Sequence, residues 1–377
     1  MAVWRVILGL AVALGLVAVA RSGHEQAVYP SYYPHEIEIA AMAPQRAAET
    51  MRAGKLHAYV GEAGQSAFAA SDRIGAVESL GTFVIVRLNP ASDVAKDETS
   101  ACAAVAAVMQ DMSARGGGLI VHPYPVTPWH GDYLHHADRA EAARRRVLAA
   151  PPLQGGIKVR ASGDLRSLVR PDRMTDGGGW DAAIEGVAAS ALVAEGTLAM
   201  NGWLGPRWVR TGWYQAYRLL GAAIAEPAAR EELAARLERL QAGASDGLAE
   251  RIDQERQLVG QLASGCGTMV AGYTVKREHF NADYSAGIEN LSFDALEGFA
   301  SPMFLRTVKL KDFPWNGWLQ LGLESRPASA WNPIGGFTDE FGRLMWFAVG
   351  DPAAVPSPYE SAWMLNRMSE VEQMPRR

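Results

Sequence analysis

The feature that most constrains the fold is an alternation of strand-like and helix-like segments between residues 36 and 148. Glu36–Ala41 alternates polar and apolar side chains, which predicts a half-buried strand, and Thr82–Leu88 is almost continuously apolar, which predicts a strand covered on both faces. Pro44–Met51 and the alanine-rich Thr99–Ala114 are typical of helices. Because helices that alternate with strands pack against the faces of a sheet, the sequence predicts an α/β fold with a mainly parallel sheet.

A helical hairpin is predicted in the second half of the chain. Two segments carry apolar stripes at helical spacing, and Gly243 separates them. The stripes consist of Leu233, Leu237 and Leu240 in the first segment, and of Leu248, Ile252, Val259 and Leu262 in the second. Two such helices bury their stripes by packing against each other in antiparallel fashion.

The last hundred or so residues change character. Val308–Lys311 and Leu319–Leu323 alternate in polarity, and Asn316-Gly317 between them is a strong signal for a hairpin turn. The sequence therefore predicts an antiparallel C-terminal part. Together with a typical domain size of about 100–200 residues, these changes predict a first α/β lobe at 36–115, a second lobe with the helical hairpin at 116–270, and a β-rich part at 271–377 that completes the lobes.

Residues 1–20 are typical of a signal peptide. Arg5 supplies the positive charge, and the apolar run Val6–Ala20 is shorter than the about 20 residues that a membrane-spanning helix needs. The run ends in Ala18-Val19-Ala20, the small-x-small pattern at which signal peptidase cleaves. The pattern predicts export to the periplasm, and the alternative is an uncleaved N-terminal anchor.

Charge and cysteine content exclude some functions. The net charge of -5 and the isoelectric point near 6.0 argue against nucleic acid as a partner, because phosphate binding requires a basic surface. The chain has two cysteines, Cys102 and Cys266, which meet oxidising conditions after export. They form either one disulfide or two separate buried thiols, and the sequence leaves both alternatives open.

Four of the eight histidines lie between His122 and His136, with Asp132 among them and Asp138 two residues beyond. Imidazole and carboxylate groups suit zinc or copper. However, His135 and His136 are adjacent, and on a helix adjacent side chains point about 100° apart, so the spacing does not fit one tetrahedral site. We therefore expect no metal and no other cofactor, with the alternative of a metal-dependent enzyme built on this window.

Patterns for nucleophilic catalysis and nucleotide binding are weak or missing. Gly243–Gly247 matches G-x-S-x-G, but the nucleophile of that motif lies between a strand and a helix, whereas here it lies between two predicted helices. Ser245 is therefore predicted to cap the second helix. The sequence shows neither a phosphate loop nor a dinucleotide fingerprint. We predict a protein that is not an enzyme and has no catalytic residue.

Three segments resemble the periplasmic solute-binding proteins of the phosphonate-binding type. Met51–Gly61 is similar to a helix end of the family with its Ala-Gly-Lys sequence, followed by the strand that enters the first ligand-binding turn. Gly81–Arg87 is similar to the strand of the family that runs into the hinge. Leu119–Tyr124 is similar to the strand and the proline-containing loop with which the second lobe of the family begins. The resemblance implies a two-lobed protein that closes on a ligand by hinge motion and passes it to an inner-membrane transporter.

The loops that follow the predicted strands supply the candidate ligand contacts. These are Tyr59, Gly61, Glu62, Tyr124, Thr127, His130 and Asp132. Where the family has a cluster of small hydroxyl residues, this chain has Tyr124-Pro125-Val126, and only Thr127 donates a hydroxyl. We therefore expect a mostly apolar or weakly polar ligand, such as a lipid, rather than a phosphonate. A further alternative is an accessory protein that binds another protein.

The signal peptide gives the first testable prediction. Protein recovered from the periplasmic fraction should begin at Arg21 when its N-terminus is sequenced, because Ala18-Val19-Ala20 directs cleavage after Ala20. Full-length chain in the membrane fraction would contradict this prediction.

Overall fold

The computed structural model describes residues 34–62, 66–68, 73–150, 153, 156–196, 206–315, 317–328, 337, 339–350 and 354–366. The predicted signal peptide, residues 1–20, lies outside them. The strands are β1 (Glu36–Ala41), β2 (Ala58–Val60), β3 (Ile74–Leu88), β4 (Leu119–Val121), β5 (Val159–Ala161), β6 (Ala182–Ala188), β7 (Thr268–Asn281), β8 (Ile288–Asn290), β9 (Lys309–Leu310), β10 (Trp318–Leu323), β11 (Ala354–Pro356) and β12 (Trp363–Leu365). The α-helices are α1 (Pro44–Arg52), α2 (Glu98–Arg115), α3 (Ala137–Leu148), α4 (Ala189–Gly196), α5 (Gly212–Leu220), α6 (Pro227–Ala242), α7 (Leu248–Leu262), α8 (Pro302–Thr307) and α9 (Glu340–Val349). Within these ranges, no helix has both the length and the apolar character needed to cross a bilayer.

One eight-stranded sheet organises the molecule. Its strand order is β1-β10-β2-β7-β3-β6-β5, and β4 pairs with β7 beside this path. The pairs β1/β10, β10/β2 and β5/β6 are parallel, whereas β7 and β3 run antiparallel to each other and to their other neighbours. The α/β class is therefore confirmed, but the prediction of a mainly parallel sheet is wrong. The alternation pattern could not show that β7, which follows the helical hairpin, inserts between β2 and β3.

The strands β3 and β7 are much longer than the others and pair along most of their length. Their register runs from Ile74 opposite Asn281 to Arg87 opposite Thr268, with irregularities between Leu80 and Phe83 and again at Val84 and Ile85. At such irregularities a strand pair bends and twists more strongly. The pair therefore joins the two ends of the sheet through a bend near Gly81.

Four apolar cores cover both faces of the sheet on either side of this bend. On β3, Phe83 and Ile85 pack with α5, α6 and α7, while Val84 and Val86 on the opposite face pack with α2. All four are at most 2% exposed, which confirms a strand covered on both faces. We call this part of the molecule, which contains β5, β6, the end of β3 and the helices α2, α5, α6 and α7, the β6 half.

The other part, which we call the β10 half, repeats this arrangement with β1, β10 and β2. Tyr59 packs beneath α1, whereas its neighbours Ala58 and Val60 face the core formed with α8 and α9. Each half thus has two covered faces of its own, which gives the fold a two-lobed character. The predicted domain boundaries at residues 115 and 270 stay a prediction.

The helical hairpin is confirmed. The α6 stripe of Leu233, Leu237 and Leu240 is buried, and so are Val259 and Leu262 of the α7 stripe, whereas Leu248 at the start of α7 is exposed and Ile252 is half-buried. Gly243 ends α6 in a left-handed conformation with φ of 65°. The prediction that Ser245 caps α7 is wrong, because the N-cap position is Gly247. The side chain of Glu250 instead reaches back and accepts a hydrogen bond from the Asp246 amide at 2.6 Å.

The predicted C-terminal hairpin is wrong. Leu319, Leu321 and Leu323 do form a strand with one buried face, but this strand, β10, lies between β1 and β2 and is parallel to both. β9 pairs with β8 instead. Asn316 of the predicted turn lies outside the described residues. The alternation identified the strand, but its partners lie about 260–280 residues earlier in the chain.

A disulfide closes the β6 half. Cys102 on α2 pairs with Cys266, two residues before β7, across a sequence separation of 164. Its Cα–Cα distance of 5.0 Å lies within the usual range for disulfides. The structure thus selects one of the two alternatives that the sequence left open.

We predict that the double variant Cys102→Ala/Cys266→Ala loses about 2–5 kcal/mol of unfolding free energy, because the crosslink restricts a long loop of the unfolded chain. Urea denaturation with and without reductant measures the effect. Reductant should lower the midpoint of the wild type and leave that of the variant unchanged. Equal wild-type midpoints in both conditions would contradict the prediction.

Candidate functional site

A cleft lies at the bend, where the two halves of the sheet meet. Two adjoining cavities of about 260 and 310 Å³ share Ser190, Ser325, Glu340 and Phe341 in their walls. The smaller one also contacts Gly81 at the bend of β3. We call these two cavities together the junction cleft.

Strand ends supply the polar wall of the junction cleft. β2 and β10 are parallel neighbours; Glu324 directly follows β10, and Glu62 follows β2 after one intervening residue, Gly61. On the opposite side, β6 ends at Ala188, and α4 begins with Ser190 in its first turn. Ligands of α/β proteins commonly bind beyond the carboxyl ends of parallel strands, so this edge of the sheet is suited to binding.

Gly61 permits the close approach of β2 and β10 at the cleft. Its φ is 136°, and a Cβ atom there would lie 2.5 Å from Cβ of Glu324. The approach lets the Glu62 amide donate to the Glu324 carboxylate at 2.6 Å. A side chain at residue 61 would both strain the backbone and displace this carboxylate.

A buried ion cluster supports the floor of the cleft. Lys276 Nζ lies 3.2 Å from Glu278 and 3.0 Å from Glu340, and Glu278 is fully buried. Burial alone would lower the pKa of Lys276, but these two carboxylates outweigh burial and raise it. Glu278 also accepts hydrogen bonds from the amides of Gly61 at 3.0 Å and Phe299 at 2.6 Å. The carboxylate therefore joins β2, β7 and the turn before α8.

A second buried ion cluster lies alongside. Arg210 donates to Asp294 and, at 3.1 Å, to Glu297, and Arg343 of α9 donates to the other oxygen of Glu297 at 2.9 Å. All four residues are at most 8% exposed. The cluster fixes the turn at Asp294–Gly298, from which Ala295 accepts a hydrogen bond from the Leu80 amide at the bend.

The smaller cavity of the cleft has a predominantly acidic lining, because Glu62, Glu324 and Glu340 face it and the ammonium group of Lys276 is already paired. The wall of the larger cavity also contains Arg326 and Arg343, together with Asp339. Desolvation raises the pKa of Glu62, the nearby Lys276 opposes this shift, and Glu324 and Glu340 reinforce it. Apolar contacts come from Leu80, Leu296 and Phe341. The arrangement suits a small ligand with an apolar body and a cationic or hydrogen-bond-donating end.

The structure brings two of the seven sequence-predicted contacts toward this cleft. Glu62 lines it, and Gly61 forms the turn just before Glu62. Tyr59 lies behind them with 0% exposure, and its hydroxyl donates to the Met42 carbonyl at 3.0 Å. Burial raises the pKa of Tyr59 to about 12.

The other four predicted contacts, Tyr124, Thr127, His130 and Asp132, lie together in the β6 half and are at most 7% exposed. The Thr127 amide donates to Nδ1 of His130 at 2.9 Å, and Nε2 of His130 contacts the Gln215 amide oxygen at 3.0 Å. These contacts hold the histidine within the core. The predicted ligand-binding role of the four residues stays a prediction.

Asp132 and Tyr124 each have a structural partner. The Asp132 carboxylate accepts hydrogen bonds from the amides of Gly212 and Trp213 at 2.8 and 3.1 Å and so satisfies the N-terminus of α5. The Tyr124 hydroxyl lies 3.1 Å from Nδ1 of His136. Burial raises the pKa of Tyr124 to about 12 and lowers the pKa of His136 to about 4.

A larger cavity of about 700 Å³ lies beside this cluster, between the start of α5 and the helical hairpin. Asp132, His135 and Glu255 form part of its wall, together with Trp208 and Trp213. It is a second concave surface, and unlike the junction cleft it does not lie at the bend.

Sequence reasoning missed the buried ion clusters. One signal was present, since Lys276 and Glu278 alternate along a segment that also carries Val270 and Tyr273. Charges at every second position of a strand face the same side, so a buried pair was readable once the strand was assigned. Arg210, Asp294 and Glu297 are brought together only by tertiary folding and had no such signal.

No family model matches the chain, and no curated protein matches it in sequence. Among solved structures, HbpA2 from Haemophilus parasuis aligns with 72% of this chain and 56% of its own, at 13% identity and a TM-score of 0.44. An ABC transporter substrate-binding protein from Sinorhizobium meliloti aligns with 71% of this chain and 60% of its own, at 12% identity and a TM-score of 0.41.

The periplasmic binding protein DppA from Helicobacter pylori, associated with an ABC transporter and in complex with the peptide STSA, is also similar. It aligns with 71% of this chain and 55% of its own, at 10% identity and a TM-score of 0.41. The chain therefore spans somewhat more than half the length of each of these proteins.

We predict that Glu278→Ala lowers the unfolding free energy by about 3–5 kcal/mol, because it leaves a buried lysine and two backbone amides with fewer partners. The matched control is Glu78→Ala. It removes the partly exposed carboxylate that pairs with Arg277, the residue just before Glu278 on β7. Exposed pairs contribute about 1 kcal/mol or less. Similar losses for the two variants in urea denaturation would contradict a structural role for the buried cluster.

Proposed function

We propose that this protein is an exported solute-binding protein that holds a small ligand in the junction cleft and delivers it to a transporter in the inner membrane. The observation that carries the proposal is the position of the cleft, at the bend of the two long strands that join the halves of the sheet. A ligand held there contacts both halves, so binding energy favours one relative arrangement of the two.

The size of the cleft supports this function. Its adjoining cavities of about 260 and 310 Å³ are together within the usual range of ligand pockets, about 300–1,000 Å³. The wall combines apolar side chains with a few polar groups held in place by backbone hydrogen bonds, as with Glu324 and the Glu62 amide. Such a pre-organised lining reduces the entropy lost when the ligand binds.

The acidic lining of the smaller cavity narrows the class of ligand. We infer a weakly polar molecule whose basic or donor group faces Glu62 and Glu324, with its apolar part against Leu296 and Phe341. This keeps the sequence-based expectation of an apolar or weakly polar ligand and adds a charge preference. Phosphate or a phosphonate is disfavoured in the smaller cavity, because the three carboxylates in the described part of its wall repel anions and the one cation there, Lys276, is already paired.

The same lining favours binding over catalysis. The described wall of the cleft contains Ser190 and Ser325 but no histidine that could act as their base. We therefore retain the interpretation of a binding protein.

The test is a ligand screen on the mature protein, followed by thermal unfolding and tryptophan fluorescence. The panel contains small amines, basic dipeptides, sterols and inorganic phosphate. A ligand at 100 times its dissociation constant should add about 2.7 kcal/mol of stability. We predict stabilisation by a member carrying a basic group and an apolar part, and none by phosphate.

Charge-matched variants locate the binding site. Glu62→Gln should weaken binding of the hit at least about tenfold, which corresponds to about 1.4 kcal/mol. Glu49→Gln makes the same charge change on the exposed face of α1 and should leave binding unchanged. Stabilisation by phosphate alone, or equal affinities of the two variants, would contradict the proposal.

A further inference from the structure

Three metal-ligating side chains converge in the β6 half, away from the junction cleft. Asp132, His136 and Glu255 offer ligand atoms that all lie within 4.8 Å of one another. The three residues are 7%, 0% and 1% exposed, respectively. Two carboxylates buried this close together repel each other, and a cation bound between them would relieve the repulsion, in addition to Arg251, which pairs with Glu255 from one side.

One ring nitrogen of the His136 imidazole is available to a metal ion. Its Nδ1 lies 3.1 Å from the Tyr124 hydroxyl, whereas its buried Nε2 has no hydrogen-bond partner. A buried polar atom without a partner is costly and calls for an explanation. Histidines that bind metals commonly use one ring nitrogen for the ion and hold the other with a hydrogen bond, which sets the orientation of the ring.

Both carboxylates are fixed by neighbours that leave lone pairs available. Asp132 accepts from the two amides at the start of α5. Glu255 accepts from Arg251 Nε at 2.9 Å, and its other oxygen lies 3.1 Å from Nδ1 of His135. Since a carboxylate has about four acceptor sites, each can also bind an ion.

We propose that Asp132, His136 and Glu255 bind one Zn²⁺ ion. One imidazole with two carboxylates suits zinc better than calcium or magnesium, which prefer oxygen ligands alone. Three protein ligands leave a fourth position for water or another small ligand, and Asp132 and Glu255 both line the cavity of about 700 Å³.

The proposal departs from the sequence-based expectation of no metal. That expectation rested on His135 and His136, which as neighbours do not fit one tetrahedral site. The structure separates their roles, because His136 faces the ligand cluster while His135 contacts Glu255 from outside it. The third ligand comes from α7, more than a hundred residues away in sequence, where no spacing rule connects it to the histidine window.

The experiment is calorimetric titration of the full mature chain with zinc chloride at neutral pH, after tag removal and treatment with a chelator. We expect about one equivalent of zinc per chain and a higher melting temperature in its presence. Elemental analysis of the dialysed protein provides the stoichiometry independently. Absence of stoichiometric zinc in both measurements would overturn the proposal.

Single-residue variants test which side chains bind the zinc ion. His136→Gln and Glu255→Gln should each weaken zinc binding by about 100-fold or more, and Tyr124→Phe, which removes only the partner of the histidine, by about tenfold. His35→Gln changes an exposed histidine at the start of β1 and should bind zinc like the wild type. Circular dichroism of the metal-free variants identifies any that fail to fold. Zinc affinity of folded His136→Gln or Glu255→Gln equal to that of His35→Gln would also overturn the proposal.

Discussion

The antiparallel pairing of β3 with β7 is the interaction on which the rest of the structure depends. These strands contribute side chains to cores on both faces of the sheet, and β7 also pairs with β2 and β4. Every link between the β10 half and the β6 half within the sheet therefore passes through this pair. The irregular register near Leu80 and Phe83 places the bend of the pair beside the junction cleft.

Buried charges hold the elements around this bend in place. Lys276, Glu278 and Glu340 connect β7 to α9, and Arg210, Glu297 and Arg343 connect the segment before α5 to the same helix. Replacement of such groups by apolar side chains of equal volume is often neutral or stabilising, so buried ion pairs are weak evidence for stability as such. Their value here lies in geometry, because each carboxylate needs partners from several elements and only one arrangement of the bend satisfies them all.

The sequence predicted features that depend on local pattern. The apolar run Thr82–Leu88 indicated a strand covered on both faces, and the leucine stripes of the hairpin indicated two packed helices, because burial repeats with the period of the element. The partners of β10 were not predictable, since its alternation is the same whether it pairs with β9 nearby or with β1 and β2 across the chain.

The candidate site shows the same limit. Glu62 was predicted as a ligand contact because it lies in the loop after a strand, whereas Glu324 and Glu340 were missed because nothing local relates them to Glu62. Glu255 and His136 illustrate the point at the proposed zinc site, where the grouping arises only from the packing of α7 against the chain before α3. Local pattern predicts which face a residue occupies, and tertiary structure decides which residues share a site.

Amide hydrogen exchange of the mature protein, with and without bound ligand, tests the central claim most directly. If the ligand lies in the junction cleft, exchange should slow in peptides that contain residues 61–62, 188–190, 324–326 and 339–343, which come from four separate parts of the chain and from both halves of the sheet. Protection confined to peptides around the larger cavity, at residues 131–135 and 239–255, would contradict the account and place binding in the β6 half alone.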